Sequence, residues 1–162
     1  MSRTVNIFID LEETVINEWG KSPTFLPHCG RINTLLKLLN PRRVQIFSFA
    51  IHTPEEEQEF EVFIQADLEH RMGRIIDKVI PVRDMFTISV KAQRTHFLDL
   101  SDFLLTRGKE GAFHDWCHVN HAGETSVLID DVVPNRTTID HDTKTKIVTL
   151  NVTALNKGFW RE

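Results

Sequence analysis

The chain has 162 residues, of which 41% are hydrophobic and 26% are charged, as expected for a single globular domain that can bury a substantial core. Its formal net charge of −4 gives no electrostatic reason for strong binding to nucleic acid or to an acidic membrane. Its two cysteines, Cys29 and Cys117, are too few for a disulfide framework and are typical of a reducing compartment.

The sequence contains no segment that predicts export or membrane insertion. Met1-Ser2-Arg3-Thr4 leads directly into the first predicted strand, without the apolar region of a signal peptide. No apolar stretch approaches the roughly 18 residues that a membrane-spanning helix needs. We therefore expect a cytoplasmic protein without a membrane partner.

The first predicted strand is the run Val5–Ile9, which is almost entirely apolar, as in strands whose two faces are both covered. Residues 15–29 contain one glycine and two prolines and predict an irregular excursion or a short hairpin. Apolar residues then recur at helical spacing from Ile32 to Leu39, and Asn40-Pro41 ends that helix.

A second strand is predicted at residues 44–47 and ends at Ser48. The start of the next helix is marked by Thr53, Pro54 and Glu56. The threonine caps the helix, the proline suits the first helical position, and the glutamate completes a capping box. An apolar stripe continues this helix to about residue 72.

The rest of the chain predicts further strands and helices around a mixed region. The strands are expected at residues 78–82, 126–129 and 146–150, and the helices at about residues 102–106 and 109–119. Strands that alternate with helices predict an α/β fold with a mainly parallel, five-stranded sheet that has helices on both faces.

Two of these strands end in carboxylates. Asp10 follows the first strand, and Asp130-Asp131 follows the strand predicted at residues 126–129. Ligands of open α/β sheets bind at the carboxyl ends of the strands, so these acidic side chains are expected at one edge of the sheet. Clustered carboxylates favour a hard cation that prefers oxygen ligands, and the sequence therefore predicts a Mg²⁺ site.

Four short motifs in this order resemble those of the haloacid dehalogenase-like phosphohydrolases. The first is Asp10-Leu11-Glu12-Glu13-Thr14, and the second is Ser48 at the end of its strand. The third is a helix-opening lysine, matched best by Lys109 and less well by Lys91, and the fourth is Asp130-Asp131. The resemblance implies a Rossmann-like three-layer sandwich that forms one domain over all 162 residues without a full cap.

The resemblance also implies a role for each motif residue. Asp10 would be the nucleophile that attacks a phosphoryl group and forms an aspartyl-phosphate. Ser48 and Lys109 would stabilise and bind the phosphoryl oxygens, with Thr14 as a further substrate-binding residue. Glu12 would take the place of the residue that protonates the leaving group and then activates water.

The metal ligands implied by the same resemblance are carboxylate and carbonyl oxygens. Mg²⁺ would be held by Asp10, by Asp130 and by the backbone carbonyl of Glu12, with Asp131 helping through water. Glutamate at position 12 departs from the family pattern, in which an aspartate stands there. Its extra methylene moves the carboxyl group by about 1 Å, which would affect turnover more than metal binding.

Each motif residue also has an ordinary structural interpretation. Ser48 and Thr14 would then be turn residues, Lys109 a surface residue of a helix, and Asp130-Asp131 the polar end of a strand. It is the order of the four motifs along the chain that favours the functional interpretation.

The histidine-rich stretch His114, Cys117, His118 and His121 raises the separate hypothesis of a zinc site. These residues lie at helical spacing and would share one face of a helix. One face of a helix cannot surround a cation tetrahedrally, so we favour a structural helix and keep the zinc module as an alternative.

We therefore predict a Mg²⁺-dependent phosphohydrolase that acts on a phosphomonoester. A nucleotide, a nucleic-acid end and a phosphoprotein are all candidate substrates, and a protein partner is compatible with a site that has no cap. The alternative is a protein of the same fold that binds or inhibits and has weak or lost turnover, which the glutamate at position 12 favours.

Overall fold

A computed structural model describes residues 5–153 of the protein. Residues 1–4, on which the expectation of no signal peptide rests, lie outside the described residues, as do residues 154–162 at the far end of the predicted domain. Within the described range, no helix is both long enough and apolar enough to cross a membrane.

The described strands form one sheet. They are β1 Val5–Ile9, β2 Arg43–Phe47, β3 Lys78–Ile80, β4 Thr125–Asp130, β5 Arg136–Asp140 and β6 Thr145–Asn151. Their order is β3-β2-β1-β4-β6-β5, and only the edge strand β5 runs antiparallel to its neighbour. The prediction of an α/β fold with a mainly parallel sheet is confirmed, but the predicted number of strands is wrong, because the sheet has six and not five.

The helices connect these strands. They are α1 His28–Leu39, α2 Pro54–Phe60, α3 Ala66–Met72, α4 Val82–Gln93 and α5 Leu100–Asn120, with a π-helical segment at Glu61–Gln65 that joins α2 to α3. The predicted capping box is present at the start of α2, where Thr53 and Glu56 each bond the other's backbone amide.

Alternating side chains of the strands fill two cores, one on each face of the sheet. In β1, Ile7 and Ile9 belong to the core under α1, α2 and α3, whereas Phe8 belongs to the core under α4 and α5. All three side chains are fully buried. Covered faces on both sides explain the almost continuous apolar run of this strand, and they bring the chain to Asp10 at the edge of the sheet.

Two elements were missed from the sequence, for different physical reasons. Strand β5 is exposed over most of its length, so no alternation of apolar residues marks it. The predicted strand at residues 78–82 ends at Ile80, Pro81 is the N-cap of helix α4, and the helix itself begins at Val82. The buried face of α4 contains Ser89, whose hydroxyl donates to Asp115 at 2.7 Å, and this polar residue interrupts the apolar stripe.

Candidate active site

The candidate site lies where the order of strands reverses across the sheet. Strands β1 and β4 are neighbours in the middle of the sheet, and chain connections leave them towards opposite edges. Asp10 follows β1 directly, and its amide donates to the carbonyl of Ile129 at 3.0 Å, while Asp130 is the last residue of β4. Open α/β sheets bind their ligands at such a reversal point, beyond the carboxyl ends of the strands.

An open cavity of about 380 Å³ occupies this edge, and we call it the acidic cavity. It is lined by Asp10, Glu12, Glu13, Ser48, Phe49, Ala50, Lys109, Asp130, Asp131 and Val132. The predicted site residues thus lie together, with the exception of Thr14, which is fully buried behind the cavity wall. Of the two lysines considered for the third motif, the preferred candidate Lys109 lines the cavity, and Lys91 is not among the lining residues.

Lys109 is the cationic centre of the acidic cavity. Its ammonium lies 2.9 Å from Asp10 Oδ1 and 3.3 Å from Asp130 Oδ2, and its side chain is almost fully buried. The same ammonium lies 4.8 Å from the centre of the Phe49 ring, close enough for a cation–π interaction. Nothing in the sequence indicated a role for Phe49 beyond its position next to Ser48.

Three carboxylates lie close together here, and two of them, Asp10 and Asp130, are paired with the Lys109 ammonium. Asp10, Asp130 and Asp131 each offer an oxygen, and the three oxygens lie within 4.8 Å of one another. Asp130 Oδ1 accepts from the amide of Val132 at 2.8 Å, whereas the buried Oδ2 is paired with the Lys109 ammonium at 3.3 Å but accepts no hydrogen bond from the described residues. One ammonium leaves this cluster with a formal excess of negative charge, so the donor set fits a divalent cation that prefers oxygen ligands.

The charge excess is reflected in the titration of the cluster. The pKa of Asp10 is raised, mainly because the carboxyl group is buried. The charge of Lys109 opposes this increase, and the charge of Asp130 adds to it. Burial, with the charges of Asp130 and Asp10, raises the pKa of Asp131 to about 6. Crowded carboxylates that resist ionisation are stabilised when a cation binds between them.

Hydrogen bonds hold the remaining site residues in place. Thr14, which was predicted to bind substrate, is fully buried, and its Oγ1 donates to Asp10 Oδ2 at 3.3 Å, so in this structure it positions the aspartate. Ser48 Oγ accepts from the amide of Ala50 at 3.1 Å, which leaves its own hydroxyl proton free to donate into the cavity.

Glu12 is fixed by a contact that the sequence could not reveal. Its Oε2 accepts from the backbone amide of Trp19 at 2.8 Å, and Trp19 lies in the excursion between β1 and α1. That excursion folds back as a short hairpin through the bridge between Ile16 and Phe25. The sequence had predicted either an irregular segment or a short hairpin here. The neighbouring Glu13 has a positive φ of 61°, a conformation that side chains other than glycine adopt at a cost.

A break in helix α5 delivers Lys109 to the cavity. Gly108 has φ 65° and ψ −176°, which separates the two predicted helices within what is otherwise one element. Arg107 and Asp115 bridge the break with a bidentate ion pair at 2.9 and 3.0 Å, and Asp115 is nearly fully buried. Lys109 therefore starts the second half of the helix and points towards Asp10.

We expect Gly108→Ala to lower both the thermal stability of the protein and any activity of the site. An added Cβ would meet no atom within 4 Å, so the cost comes from the backbone conformation alone. Such a conformation costs a residue with a side chain about 1 to 3 kcal/mol, or roughly 2 to 10 °C in melting temperature for a protein of this size. Thermal denaturation measures the effect. Gly30→Ala in α1, which also meets no atom, is the control and should be neutral or stabilising.

We expect Asp131→Asn to stabilise the metal-free protein at neutral pH. The pKa of Asp131 is about 6 in the folded protein, above that of an unfolded aspartate, so its ionisation costs stability as the pH rises through that range. Asparagine removes this cost and should raise the melting temperature by about 1 to 3 °C. The gain should vanish below about pH 4, where the carboxyl group is protonated in both states.

The same variant should respond less than the wild type to Mg²⁺, because a cation then has one carboxylate fewer to bind. Thermal denaturation in EDTA and in Mg²⁺ measures both effects, with the exposed Asp142→Asn as control. A variant that melts below the wild type in EDTA, or that gains as much from Mg²⁺, would remove Asp131 from the cation site.

The histidine-rich stretch lies in the second half of α5, but its side chains diverge. Cys117 is fully buried and His121 is buried, with its ring nitrogen 2.8 Å from Glu124, whereas His118 is exposed. His114 is half-buried, and its ring centre lies 6.3 Å from that of His118. Within residues 5–153, the three aspartates of the acidic cavity are the only histidine, cysteine or carboxylate group of three that could hold a metal ion.

Comparison of the chain with protein-family models, with curated proteins and with solved structures gives no match. The geometry of the acidic cavity therefore carries the functional argument.

Proposed function

We propose that the protein is a Mg²⁺-dependent phosphohydrolase of the haloacid dehalogenase-like class, with a Rossmann-like three-layer fold. The strand order β3-β2-β1-β4 around a central reversal point supports the fold assignment. The observation that carries the functional proposal is the convergence of Asp10, Asp130 and Asp131 at that point, where Lys109 is paired with the first two.

The proposed reaction begins with attack of an Asp10 carboxylate oxygen on the phosphorus of a phosphomonoester. Lys109, together with the hydroxyl of Ser48, binds the phosphoryl oxygens and reduces the repulsion between the two anions. Thr14 holds the other oxygen of Asp10 and so orients the attacking one. Glu12 in its protonated form gives its proton to the alkoxide as the bond between phosphorus and the leaving oxygen breaks.

The second step hydrolyses the aspartyl-phosphate. Glu12, now a carboxylate, takes a proton from a water molecule, and the water oxygen attacks phosphorus. The bond between phosphorus and Asp10 breaks, inorganic phosphate leaves, and both carboxyl groups return to their starting states. The hydrogen bond from Trp19 holds Glu12 in one orientation for both proton transfers.

The divalent cation would be held by Asp10, Asp130 and Asp131, with the backbone carbonyl of Glu12 as a proposed further ligand. When bound, it supplies positive charge against a phosphoryl oxygen and against the carboxylates themselves. The buried Oδ2 of Asp130 supports this assignment, because it is paired with the Lys109 ammonium at 3.3 Å but accepts no hydrogen bond from the described residues, which leaves it able to ligate a cation.

The proposed substrate is a phosphomonoester on a nucleotide, a nucleic-acid end or a phosphoprotein. The acidic cavity is open, which is compatible with a leaving group that extends beyond the protein surface. Such a leaving group could itself be part of a protein partner. The proposed compartment is the cytoplasm.

A second candidate is a binding or inhibitory protein of the same fold with weak or lost turnover. The observation in its favour is that Glu12 Oε2 accepts from the backbone amide of Trp19 at 2.8 Å, so the longer side chain at this position already has a structural role within the protein. In that case the cation and phosphate ligands would remain useful for binding alone.

The two candidates are separated by assaying phosphate release with and without Mg²⁺. The panel comprises p-nitrophenyl phosphate, nucleoside monophosphates, oligonucleotides with a terminal phosphate and a phosphopeptide. We expect release that depends on Mg²⁺ and stops in EDTA. Phosphate binding without release from any member would favour the binding protein, and release that is insensitive to EDTA would contradict the metal-dependent mechanism.

A further inference from the structure

A second pocket lies at the amino ends of strands β2 and β3, between the sheet and helices α4 and α5. Its volume is about 440 Å³, within the range of pockets that bind small molecules. It is lined by Arg43, Gln45, Lys78, Asp84, Thr87, Ile88, Trp116, Asn120 and His121, and we call it the amino-end pocket. Arg43 and Lys78 are the first residues of β2 and β3, so this pocket and the acidic cavity lie at opposite ends of the strands.

Two buried donors in the wall of this pocket have no acceptor. Gln45 is 3% exposed and Trp116 is 5% exposed, and both Gln45 Nε2 and Trp116 Nε1 are without a hydrogen-bond partner among residues 5–153. A buried donor that stays unsatisfied costs about 1 to 3 kcal/mol, and proteins rarely retain two such groups in the lining of one pocket. The pair therefore indicates acceptor atoms supplied from outside the described fold.

The mouth of the pocket is positively charged, although the whole chain has a formal net charge of −4. Arg43 and Lys78 are exposed there, with the Lys78 ammonium 5.6 Å from the centre of the Trp116 ring. Among residues 5–153, Asp84 is the only acidic residue in the lining, and His121 is already engaged by Glu124. The two cations thus outnumber the acid in the pocket.

We infer that the amino-end pocket binds a small organic oxyanion, with its charged group between Arg43 and Lys78 and neutral acceptor atoms on Gln45 and Trp116. A phosphate and a carboxylate share the chemistry that the two cations recognise. The neutral acceptors are carbonyl oxygens or ring nitrogens, because the two deep groups are uncharged donors. This site is independent of the proposed phosphohydrolase activity.

The test records the indole N–H resonance of Trp116 in the ¹⁵N-labelled protein, in EDTA, and identifies it by its loss in Trp116→Phe. The probes are inorganic phosphate, the nucleoside 5′-monophosphates and citrate, each at millimolar concentration. We expect an organic probe to shift this resonance more than that of Trp19, which lies beside the acidic cavity. A nucleotide gives phosphate as the charged group, and citrate gives carboxylate.

Variants then assign the contacts through dissociation constants from calorimetry. Lys78→Gln and Gln45→Leu should each weaken binding of the active probe about tenfold or more. Lys78→Arg should retain binding, and Lys91→Gln, an exposed residue of α4 outside the pocket, should change it by less than about twofold. Asp10→Asn should leave binding intact, whatever the outcome of the phosphatase assay.

The inference is overturned if no probe shifts the Trp116 resonance. It is equally overturned if binding persists within about twofold in both Lys78→Gln and Gln45→Leu, because the ligand would then lie elsewhere. Because Lys78 is an exposed side chain at the pocket mouth, its substitution leaves the core untouched, and loss of binding there cannot be ascribed to misfolding.

Discussion

Asp10→Asn should abolish phosphate release while the protein stays folded. An amide is no nucleophile, so the proposed first step cannot occur, and we expect the rate to fall by at least about 10³-fold. Asparagine has nearly the volume of aspartate, and its single carbonyl oxygen can still accept from Lys109, while its NH2 group can donate to the hydroxyl oxygen of Thr14 in place of accepting from it. The fold should therefore survive, as circular dichroism and thermal denaturation would verify.

The measurement pairs steady-state phosphate release with acid-quench trapping of the phosphorylated protein. The wild type should yield a phosphoenzyme, and Asp10→Asn should yield none. Glu13→Gln is a matched control, because Glu13 lines the same cavity and also loses a negative charge. Retention of more than about a tenth of the wild-type rate in Asp10→Asn would exclude Asp10 as the nucleophile.

The parts of the site that the sequence predicted are those that follow from burial. Strands covered on both faces have nearly continuous apolar runs, so the ends of β1 and β4 could be located and their terminal aspartates assigned to one edge. The structure places these two strands next to each other, with the Asp10 amide bonded to the carbonyl of Ile129. Ser48, which follows β2, was singled out by the resemblance to the family motifs and their order along the chain.

The parts that the sequence did not predict depend on contacts between distant segments. Lys109 could be ranked above Lys91 by motif order, but the break at Gly108 that directs it into the cavity is visible only as a backbone conformation. Helix α4 was missed because the polar residue Ser89 is buried on its inner face, where its hydroxyl donates to Asp115 of helix α5. Polar contacts of this kind leave no periodic signal in the sequence.

The amino-end pocket illustrates the same limit. Gln45 has the position of a core residue in β2, and Trp116 has that of a packing residue in α5. Only their juxtaposition, with both side-chain donors unsatisfied, distinguishes a binding pocket from a core. Sequence patterns report which side chains are buried, but not whether the polar atoms among them have partners.

Glu12→Gln should slow turnover and cause the phosphoenzyme to accumulate. Glutamine retains an oxygen that accepts from the Trp19 amide, so the local structure is kept, but it cannot transfer a proton. General acid–base catalysis contributes about 10²- to 10⁴-fold, and we expect a loss in that range. Hydrolysis of the aspartyl-phosphate needs the base, so the intermediate should build up for an activated substrate whose leaving group needs no proton.

Glu12→Asp tests whether the site is built around glutamate. A shorter side chain at this position withdraws the carboxyl group from the Trp19 amide, which now bonds it at 2.8 Å, and leaves that amide without its acceptor. We therefore expect Glu12→Asp to lower turnover by about tenfold or more, because the carboxyl group loses its fixed orientation. A rise in turnover would instead mean that the extra methylene only misplaces the general acid. Absence of any effect from either variant, in a protein that binds Mg²⁺ and phosphate, would favour the binding protein over the enzyme.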